Sequence, residues 1–343
     1  MMKKPNILII YTGGTIGMIK DPKTGVLHPL NFRQLLVKIP ELNLLDCDIS
    51  TTSIEDPIDS SNMNPTYWIE IADIIEKNYK GFDGFVVLHG SDTMSYTASA
   101  LSFMLENLTK PVILTGSQLP IGDLRTDAKE NLITSIQIAA LREKGNPVVK
   151  EVGLYFEYKL YRGNRTTKIN AEHFQAFASM NYPALVESGV HLKVDYEHLF
   201  KTNSRKKLAV HKRLNTNIIL IKLFPGITKA AIESLLQTKD LEGVVLETYG
   251  AGNTTSENWF IEILRNTVKK GIHIINVTQC SGGSVIMGNY ETSVQLKKIG
   301  IISGKDITTE SALAKLMYLL NQNLNKSEFK NAFESSLRGE ITK

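Results

Sequence analysis

Short apolar runs alternate with longer amphipathic segments along the chain. The runs are rich in valine and isoleucine and do not alternate between apolar and polar residues, which is typical of strands buried on both faces of a parallel sheet. They cover residues 7–10, 85–88, 112–114, 152–156, 218–223, 244–246 and 272–277. The alternation of strands and helices predicts an α/β fold with helices on both faces of the sheet.

The intervening segments have the spacing of amphipathic helices. One begins at Asn64 and Pro65, with asparagine as the N-cap and proline at the first helical position. Trp68, Ile71, Ala72 and Ile75 then form one apolar face. Further helices are predicted at residues 93–108, 128–142, 227–236, 258–270, 311–320 and 327–337.

A basic segment at residues 201–215 interrupts this alternation. It is either a phosphate-binding patch or a solvated connection between domains, and a run of charge is usually an exposed connection. We therefore predict an N-terminal catalytic α/β domain at residues 1–195, a linker at 196–215 and a C-terminal α/β domain at 216–343.

Composition narrows the function classes. The 343 residues carry a formal net charge of +4, which gives no strong case for a nucleic acid or membrane partner. Two distant cysteines, Cys47 and Cys280, make neither a disulfide framework nor a metal cluster, so reduced thiols are expected. No apolar segment has the length of a signal peptide core or a membrane span. The sequence therefore predicts a cytoplasmic protein.

Small and hydroxyl-bearing residues follow three of the predicted strands, at residues 11–17 (YTGGTIG), 89–94 (HGSDTM) and 115–118 (TGSQ). Ligands of parallel α/β sheets bind outside the carboxyl ends of the strands, so these clusters are expected to converge. A glycine turn that exposes backbone amides is also how phosphate loops are made. However, no Lys-Ser/Thr follows the glycines and the GxGxxG spacing is absent, which argues against a nucleotide site.

Two more clusters have plain structural explanations when each is taken alone. Residues 59–63 (DSSNM) precede the helix at Pro65 and have the composition of a cap or turn. Residues 162–168 (RGNRTTK) end on a lysine, and a lone loop lysine is nearly always solvated. Only a partner such as Asp92 gives that lysine a chemical role.

Together, in this order and spacing, the clusters resemble bacterial type I, cytoplasmic L-asparaginases. The segments that carry the resemblance are 12–17, 89–94, 96–107 (YTASALSFMLEN), 160–168 (LYRGNRTTK), 249–253 (YGAGN), 278–280 and 337–340 (LRGE). The resemblance spans about residues 7–340. It implies a larger N-terminal domain with a flavodoxin-like parallel sheet, a smaller C-terminal α/β domain, L-asparagine as substrate, a homodimer or homotetramer, and no cofactor or metal.

The resemblance also implies catalytic roles. Thr15 would be the nucleophile and Ser91, where the family normally has threonine, the second catalytic hydroxyl. Lys168 would be the base that polarises the hydroxyl at position 91, and Asp92 would orient Lys168. Because a hydroxyl nucleophile needs a base and an oxyanion site, we expect a covalent aspartyl ester on Thr15 that water then hydrolyses.

Substrate binding is implied for a second set of residues. Asp92 would bind the α-amino group of asparagine and Ser60 its α-carboxylate. Ser61 and Ser91 would line the same pocket, and Gly14 would contribute to it through the glycine turn.

Two departures from the family pattern concern catalysis. The serine at position 91 keeps the hydroxyl but lacks the methyl that restricts χ1 of threonine. Val26 stands where many relatives carry a tyrosine that touches the nucleophile. The sequence therefore leaves open which group activates Thr15, and it gives no support for Tyr11 as the substitute.

A third departure concerns regulation. Some type I enzymes bind a second asparagine beside positions that correspond to Thr167 and Cys280, with an arginine that holds its carboxylate. Glu247 occupies the arginine position here. A glutamate would repel the carboxylate that an arginine fork binds. We therefore expect this effector site to be altered or absent; alternatively, Glu247 is an exposed charge at a strand end with no regulatory role.

Three other functions compete with the asparaginase assignment. An amidase for glutamine is possible on chemical grounds, since one methylene typically changes discrimination by only about 1–3 kcal/mol. A tRNA-dependent amidotransferase subunit is not expected, because such subunits carry an extra N-terminal domain and six residues precede the first apolar run here. A catalytically silent amino-acid sensor is not expected, because the residues assigned to catalysis are intact.

Overall fold

The computed structural model describes residues 4–20, 24, 27–29, 39–202, 205–288 and 291–342. It divides into two compact units, Met1–Lys212 and Arg213–Lys343. The division falls inside the segment predicted as a linker. Residues 209–212 are not a free connection, because Ala209–Val210 pairs with Leu105–Glu106 and Lys212 Nζ lies 2.6 Å from carboxylate oxygens of Asp73 and Glu76.

The strands of the first unit are β1 (Asn6–Gly13), β2 (Met18–Lys20), β3 (Leu27–Pro29), β4 (Asp48–Ile58), β5 (Gly84–Leu88), β6 (Leu105–Glu106), β7 (Val112–Thr115), β8 (Arg142–Glu143), β9 (Asn146–Pro147), β10 (Val152–Phe156), β11 (Lys159–Arg162), β12 (Thr167–Lys168), β13 (Phe177–Ala178), β14 (Val186–Ser188), β15 (Leu192–Val194) and β16 (Ala209–Val210). Its α-helices are α1 (Pro65–Asn78), α2 (Met94–Met104) and α3 (Ala128–Ala140). Short 3-10 helices lie at Thr15–Gly17, Pro40–Leu44, Ser60–Asn62, Ser91–Thr93 and Gly163–Arg165.

An eight-stranded sheet forms the centre of this unit, in the order β15-β14-β11-β10-β7-β5-β1-β4. Strands β4, β1, β5, β7 and β10 are parallel, and the pairs from β10 to β15 are antiparallel. The parallel α/β prediction is confirmed. Strand β4 was not predicted. It is an edge strand, and Ile54 is its one fully buried side chain among the described residues, so its sequence contains no continuous apolar run.

Helix α1 forms as predicted. The Asn64 side chain accepts a hydrogen bond from the backbone N–H of Thr66 at 2.9 Å, and Pro65 opens the helix. Its apolar face is buried, and comprises Trp68, Ile71, Ala72 and Ile75. The helix predicted at 93–108 ends earlier, at Met104, because the chain there leaves the helix to pair β6 with β16.

The second unit has the parallel sheet β17 (Ile218–Lys222), β18 (Gly243–Thr248), β19 (His273–Thr278) and β20 (Ile302–Ser303), in that order. Its helices are α4 (Lys229–Leu236), α5 (Asn258–Lys269), α6 (Glu291–Ile299), α7 (Thr309–Leu319) and α8 (Lys326–Glu334). A separate α/β unit at the C-terminal end is thus confirmed.

The cysteines behave as expected for isolated thiols. Cys47 is buried in the first unit, Cys280 is exposed in the second, and both are free. Each helix in the described part of the chain is too short or too polar to cross a bilayer.

Candidate active site

The glycine turn after β1 lies directly against the turn after β5. A Cβ atom added to Gly14 would lie 2.4 Å from Gly90 Cα, and Gly14 has a φ of +84°. Only glycine allows both this backbone conformation and this approach. Strands β1 and β5 are neighbours in the parallel sheet, so their carboxyl ends bring the glycine turn that carries Thr15 and the Ser91–Thr93 turn together.

Thr15 is placed by this turn. It opens the 3-10 helix Thr15–Gly17, and the backbone N–H of Gly17 donates to Gly14 O at 3.2 Å. Its side chain is half-buried. The geometry of the turn therefore keeps Thr15 next to the contact between Gly14 and Gly90.

The segment before α1 contributes to the same place. A Cβ on Gly90 would lie 2.5 Å from Ser60 Oγ, and Ser60 is only 4% exposed. Thr93 Oγ1 donates to the backbone carbonyl of Ser60 at 2.7 Å. The predicted binding residue Ser60 is therefore packed against the turn that carries Ser91.

Ser61 is turned into a local cap. Its backbone N–H and its hydroxyl each donate to Asp59 Oδ1 at 2.8 Å. These bonds hold the pKa of the Asp59 carboxyl below its usual range. The exposed Ser61 side chain thus has a structural partner in addition to the binding role predicted for it.

Lys168 meets the residues predicted as its partners. Its Nζ donates to Ser91 Oγ at 2.9 Å and to Asp92 Oδ1 at 2.7 Å. The Lys168 side chain is 18% exposed, whereas Asp92 is 65% exposed. Strand β12, which carries Lys168, is held by antiparallel pairing with β13. The ammonium group is thus sheltered while one face of the Asp92 carboxylate stays open to a ligand.

Gln118 also contacts this group, although it was not predicted as a site residue. Ser91 Oγ donates to Gln118 Oε1 at 3.2 Å. The signal in the sequence was its place in the polar cluster after β7, but nothing local shows that a glutamine side chain reaches Ser91.

The described residues show no hydrogen-bond partner that would activate the Thr15 hydroxyl if it is a nucleophile. The Tyr11 hydroxyl is buried and has no hydrogen-bond partner among the described residues, and a Cβ on Gly17 would lie 2.3 Å from it. Burial raises the pKa of Tyr11 to about 12, so its phenol keeps its proton at neutral pH. Val26 lies outside the described residues.

The positions that correspond to the effector site of some type I enzymes are divided between the two units. Thr167 lies in β12 of the first unit, and Cys280 lies after β19 of the second. Glu247 is buried in β18, where Thr309 Oγ1 donates to its Oε1 at 2.6 Å and Lys222 Nζ lies 3.4 Å from its Oε2. The alternative that Glu247 is an exposed charge is wrong, because its carboxylate is engaged inside the second unit.

Comparison with known protein families assigns both units. The family described as "Asparaginase, N-terminal" matches residues 6–200, and "Glutaminase/Asparaginase C-terminal domain" matches residues 217–333. The chain belongs to the asparaginase family.

Two relatives match this asparaginase-family chain over nearly the whole length of both proteins, and a third matches it over part of its own length. L-asparaginase 1 of Escherichia coli (strain K12) is 41% identical over 342 residues, 99% of each chain. The solved structure of L-asparaginase I from Vibrio cholerae O1 biovar eltor is 40% identical, with a TM-score of 0.89 over 99% of this chain and 100% of that one. The 60 kDa lysophospholipase of Mus musculus is 40% identical over 98% of this chain and 62% of its own length.

Proposed function

We propose that this chain is an L-asparaginase, which hydrolyses the side-chain amide of L-asparagine to L-aspartate and ammonia. The observation that carries the proposal is the contact of Lys168 Nζ with both Ser91 Oγ and Asp92 Oδ1, beside the glycine turn that holds Thr15. Membership of the asparaginase family supports the same substrate.

The proposed reaction proceeds through an ester on Thr15. The Thr15 hydroxyl oxygen attacks the carboxamide carbon, and backbone N–H groups of the glycine turn stabilise the oxyanion. The C–N bond then breaks, and the hydroxyl proton leaves with the nitrogen as ammonia. Water adds to the ester carbon, the bond to Thr15 breaks, and a proton returns to the threonine oxygen.

The charges of the site suit an α-amino acid. The open side of the Asp92 carboxylate can pair with the substrate ammonium group. Ser60, packed against the Ser91 turn, can donate to the α-carboxylate, and Gly14 can contribute its backbone amide. Ser61 would only line the same pocket, because both of its donors are bonded to Asp59. Lys168, the proposed base, contacts the Ser91 hydroxyl through its Nζ.

Ammonia release from purified protein tests the proposal. L-Asparagine is expected to be hydrolysed faster than L-glutamine, and buffer without enzyme is the control. A preference for glutamine would reassign the substrate to the longer amide. Binding of asparagine in calorimetry without ammonia release would instead identify a sensor and overturn the proposal.

We also propose a cytoplasmic homodimer or homotetramer that needs no cofactor or metal, on the basis of the resemblance to type I enzymes. The described residues contain no group of three or more His, Cys, Asp or Glu side chains placed to hold a metal ion. Light scattering at micromolar concentration measures the assembly. Ammonia release that is lost in EDTA and restored by zinc would contradict metal independence.

A further inference from the structure

Gln118 is rigidly placed at the carboxyl end of β7. Its backbone N–H donates to both carboxylate oxygens of Asp127, at 3.1 and 3.0 Å, and Leu119 N–H donates to Asp127 Oδ1 at 3.1 Å. Asn131 Nδ2 donates to Asp127 Oδ2 at 3.2 Å and to Gly116 O at 3.0 Å. The start of helix α3 therefore fixes the backbone from which the Gln118 side chain extends.

The hydrogen bonds of the Gln118 amide define its orientation. Nε2 donates to the backbone carbonyls of Ala171 and His173, at 3.2 and 3.0 Å. A primary amide has two N–H groups, so both are used, and the atom that faces Ser91 is the carbonyl oxygen. A carbonyl oxygen only accepts, and the Ser91 hydroxyl therefore donates its single proton to Gln118 Oε1 over 3.2 Å.

This leaves the lone pairs of Ser91 Oγ for Lys168, whose Nζ is the donor over 2.9 Å. The serine hydroxyl is thus held from two sides, by an acceptor and by a donor. Serine lacks the Cβ methyl that restricts χ1 of threonine, so such contacts decide which rotamer it adopts.

The same amide connects Ser91 to the element that carries Lys168. Ala171 and His173 lie in the loop between β12 and β13, and Lys168 pairs with Phe177 across that hairpin. The backbone N–H of Ile169 donates to Ala176 O at 2.8 Å. Gln118 therefore contacts both the Ser91 hydroxyl and the loop of the hairpin on which Lys168 stands.

We propose that Gln118 is a positioning residue, which fixes the direction of the Ser91 hydroxyl and its distance from Lys168. This inference rests on the proposed asparaginase function. The positioning role of Gln118 matters most when residue 91 is serine, because the methyl group of a threonine would itself restrict χ1.

The Gln118→Leu substitution removes both interactions with little change in volume. Its kcat for asparagine is expected to fall about tenfold, the effect of one net hydrogen bond, with KM changed by less than about twofold. In a Ser91→Thr background the same substitution is expected to lower kcat by about twofold or less. Gln137→Leu, at an exposed position of α3, is the matched control and keeps the wild-type kcat.

The outcomes separate this inference from the proposed function. Wild-type protein without asparaginase activity would refute the function itself. An active wild type with a Gln118→Leu variant of unchanged kcat would overturn the positioning role alone. An equal loss of kcat in the serine and Ser91→Thr backgrounds, or a loss accompanied by a lower Tm, would also overturn it, because Gln118 would then only support the hairpin.

Discussion

Thr97 Oγ1 lies 2.8 Å from Nε2 of His89, and both side chains are fully buried. His89 Nδ1 lies 2.6 Å from the carbonyl oxygen of Gly90, and Trp68 Nε1 donates to Thr97 Oγ1 at 3.0 Å. Because a carbonyl oxygen can only accept, the proton of His89 is on Nδ1, and Nε2 accepts from Thr97. This chain of bonds stabilises a neutral imidazole two residues before Ser91.

The buried His89 is expected to make the protein sensitive to acid. Burial lowers its pKa from 6.5 to about 4. Above pH 6.5 the histidine is neutral in both states and adds no pH dependence. As the pH falls from 6.5 towards 4, only the unfolded state takes up the proton. The free energy of unfolding therefore decreases by up to about 1.4 kcal/mol per pH unit, about 3 kcal/mol in total.

Urea unfolding of wild type and His89→Gln between pH 7.5 and 4.5 measures this contribution. The variant is expected to be less stable at neutral pH but to lose less stability on acidification. The difference in the free energy of unfolding between the two proteins isolates the contribution of His89 from those of the other histidines and the carboxylates. Parallel curves for the two proteins would show that His89 does not titrate as its burial predicts.

Thr15→Ala and Lys168→Met are each expected to abolish ammonia release from asparagine while the fold persists. Thr15 is the proposed nucleophile, and Lys168 contacts both Ser91 and Asp92. Activity is measured as ammonia release, and folding by circular dichroism. Near wild-type activity in either variant, with an unchanged spectrum, would contradict the assignment of these residues.

Gly14→Ala is expected to lower kcat/KM by at least about a hundredfold. The added Cβ would lie 2.4 Å from Gly90 Cα, in a backbone conformation that alanine rarely adopts, so the turn that carries Thr15 and the Ser91 turn must separate. Gly122→Ala is the matched control, since a Cβ there meets nothing within 4 Å among the described residues and its φ is not in the glycine region. Equal activity of the two variants would show that the close approach is unnecessary for turnover.

In the second unit, Glu340→Gln is expected to lower the free energy of unfolding by about 3–5 kcal/mol. Lys315 Nζ lies 2.5 Å from Glu340 Oε1, and both side chains are fully buried. The substitution of Glu340 leaves the buried Lys315 ammonium with neutral acceptors, the new amide oxygen and the backbone carbonyls of Phe333 and Ser335, in place of a counter-charge. Desolvation already lowers the pKa of Lys315, which shows that burial opposes its charge.

The exposed pair of Lys229 and Glu233 in α4, with 3.8 Å between its charged atoms, provides the control. Glu233→Gln is expected to change stability by no more than about 1 kcal/mol, because water screens such a pair. Urea unfolding monitored at a probe in the second unit measures both variants. A loss for Glu340→Gln as small as that of the control would contradict the buried-pair account.

Asparagine saturation is expected to be hyperbolic. The Glu247 carboxylate is bound by Thr309 and Lys222 inside the second unit, and a glutamate does not offer the fork with which arginine binds a carboxylate. Initial rates over a wide asparagine range measure this. A sigmoidal curve that Thr167→Ala makes hyperbolic would show that an effector site operates with Glu247 in place.

The local sequence pattern predicted the elements whose burial follows a simple rule along the chain, such as a fully buried strand or a helix with one buried face. The run at residues 85–88 predicts β5 because every one of its side chains is buried. Helix α1 was predictable because its cap, its proline and its apolar face are all encoded within twelve residues. Strand β4 was missed because an edge strand exposes most of its side chains and leaves no continuous apolar run.

Neighbours along the chain are enough to predict the order of strands and helices, the separate C-terminal unit, and the small and hydroxyl-bearing residues at the strand ends. Which of these residues come into contact depends on the packing of distant segments. Lys168 and Ser91 are 77 positions apart, and Ser91 and Gln118 are 27 apart. Their contacts arise because adjacent parallel strands place their carboxyl ends together and because pairing of β12 with β13 aims Lys168 at Ser91, and neither relationship is written in any local segment.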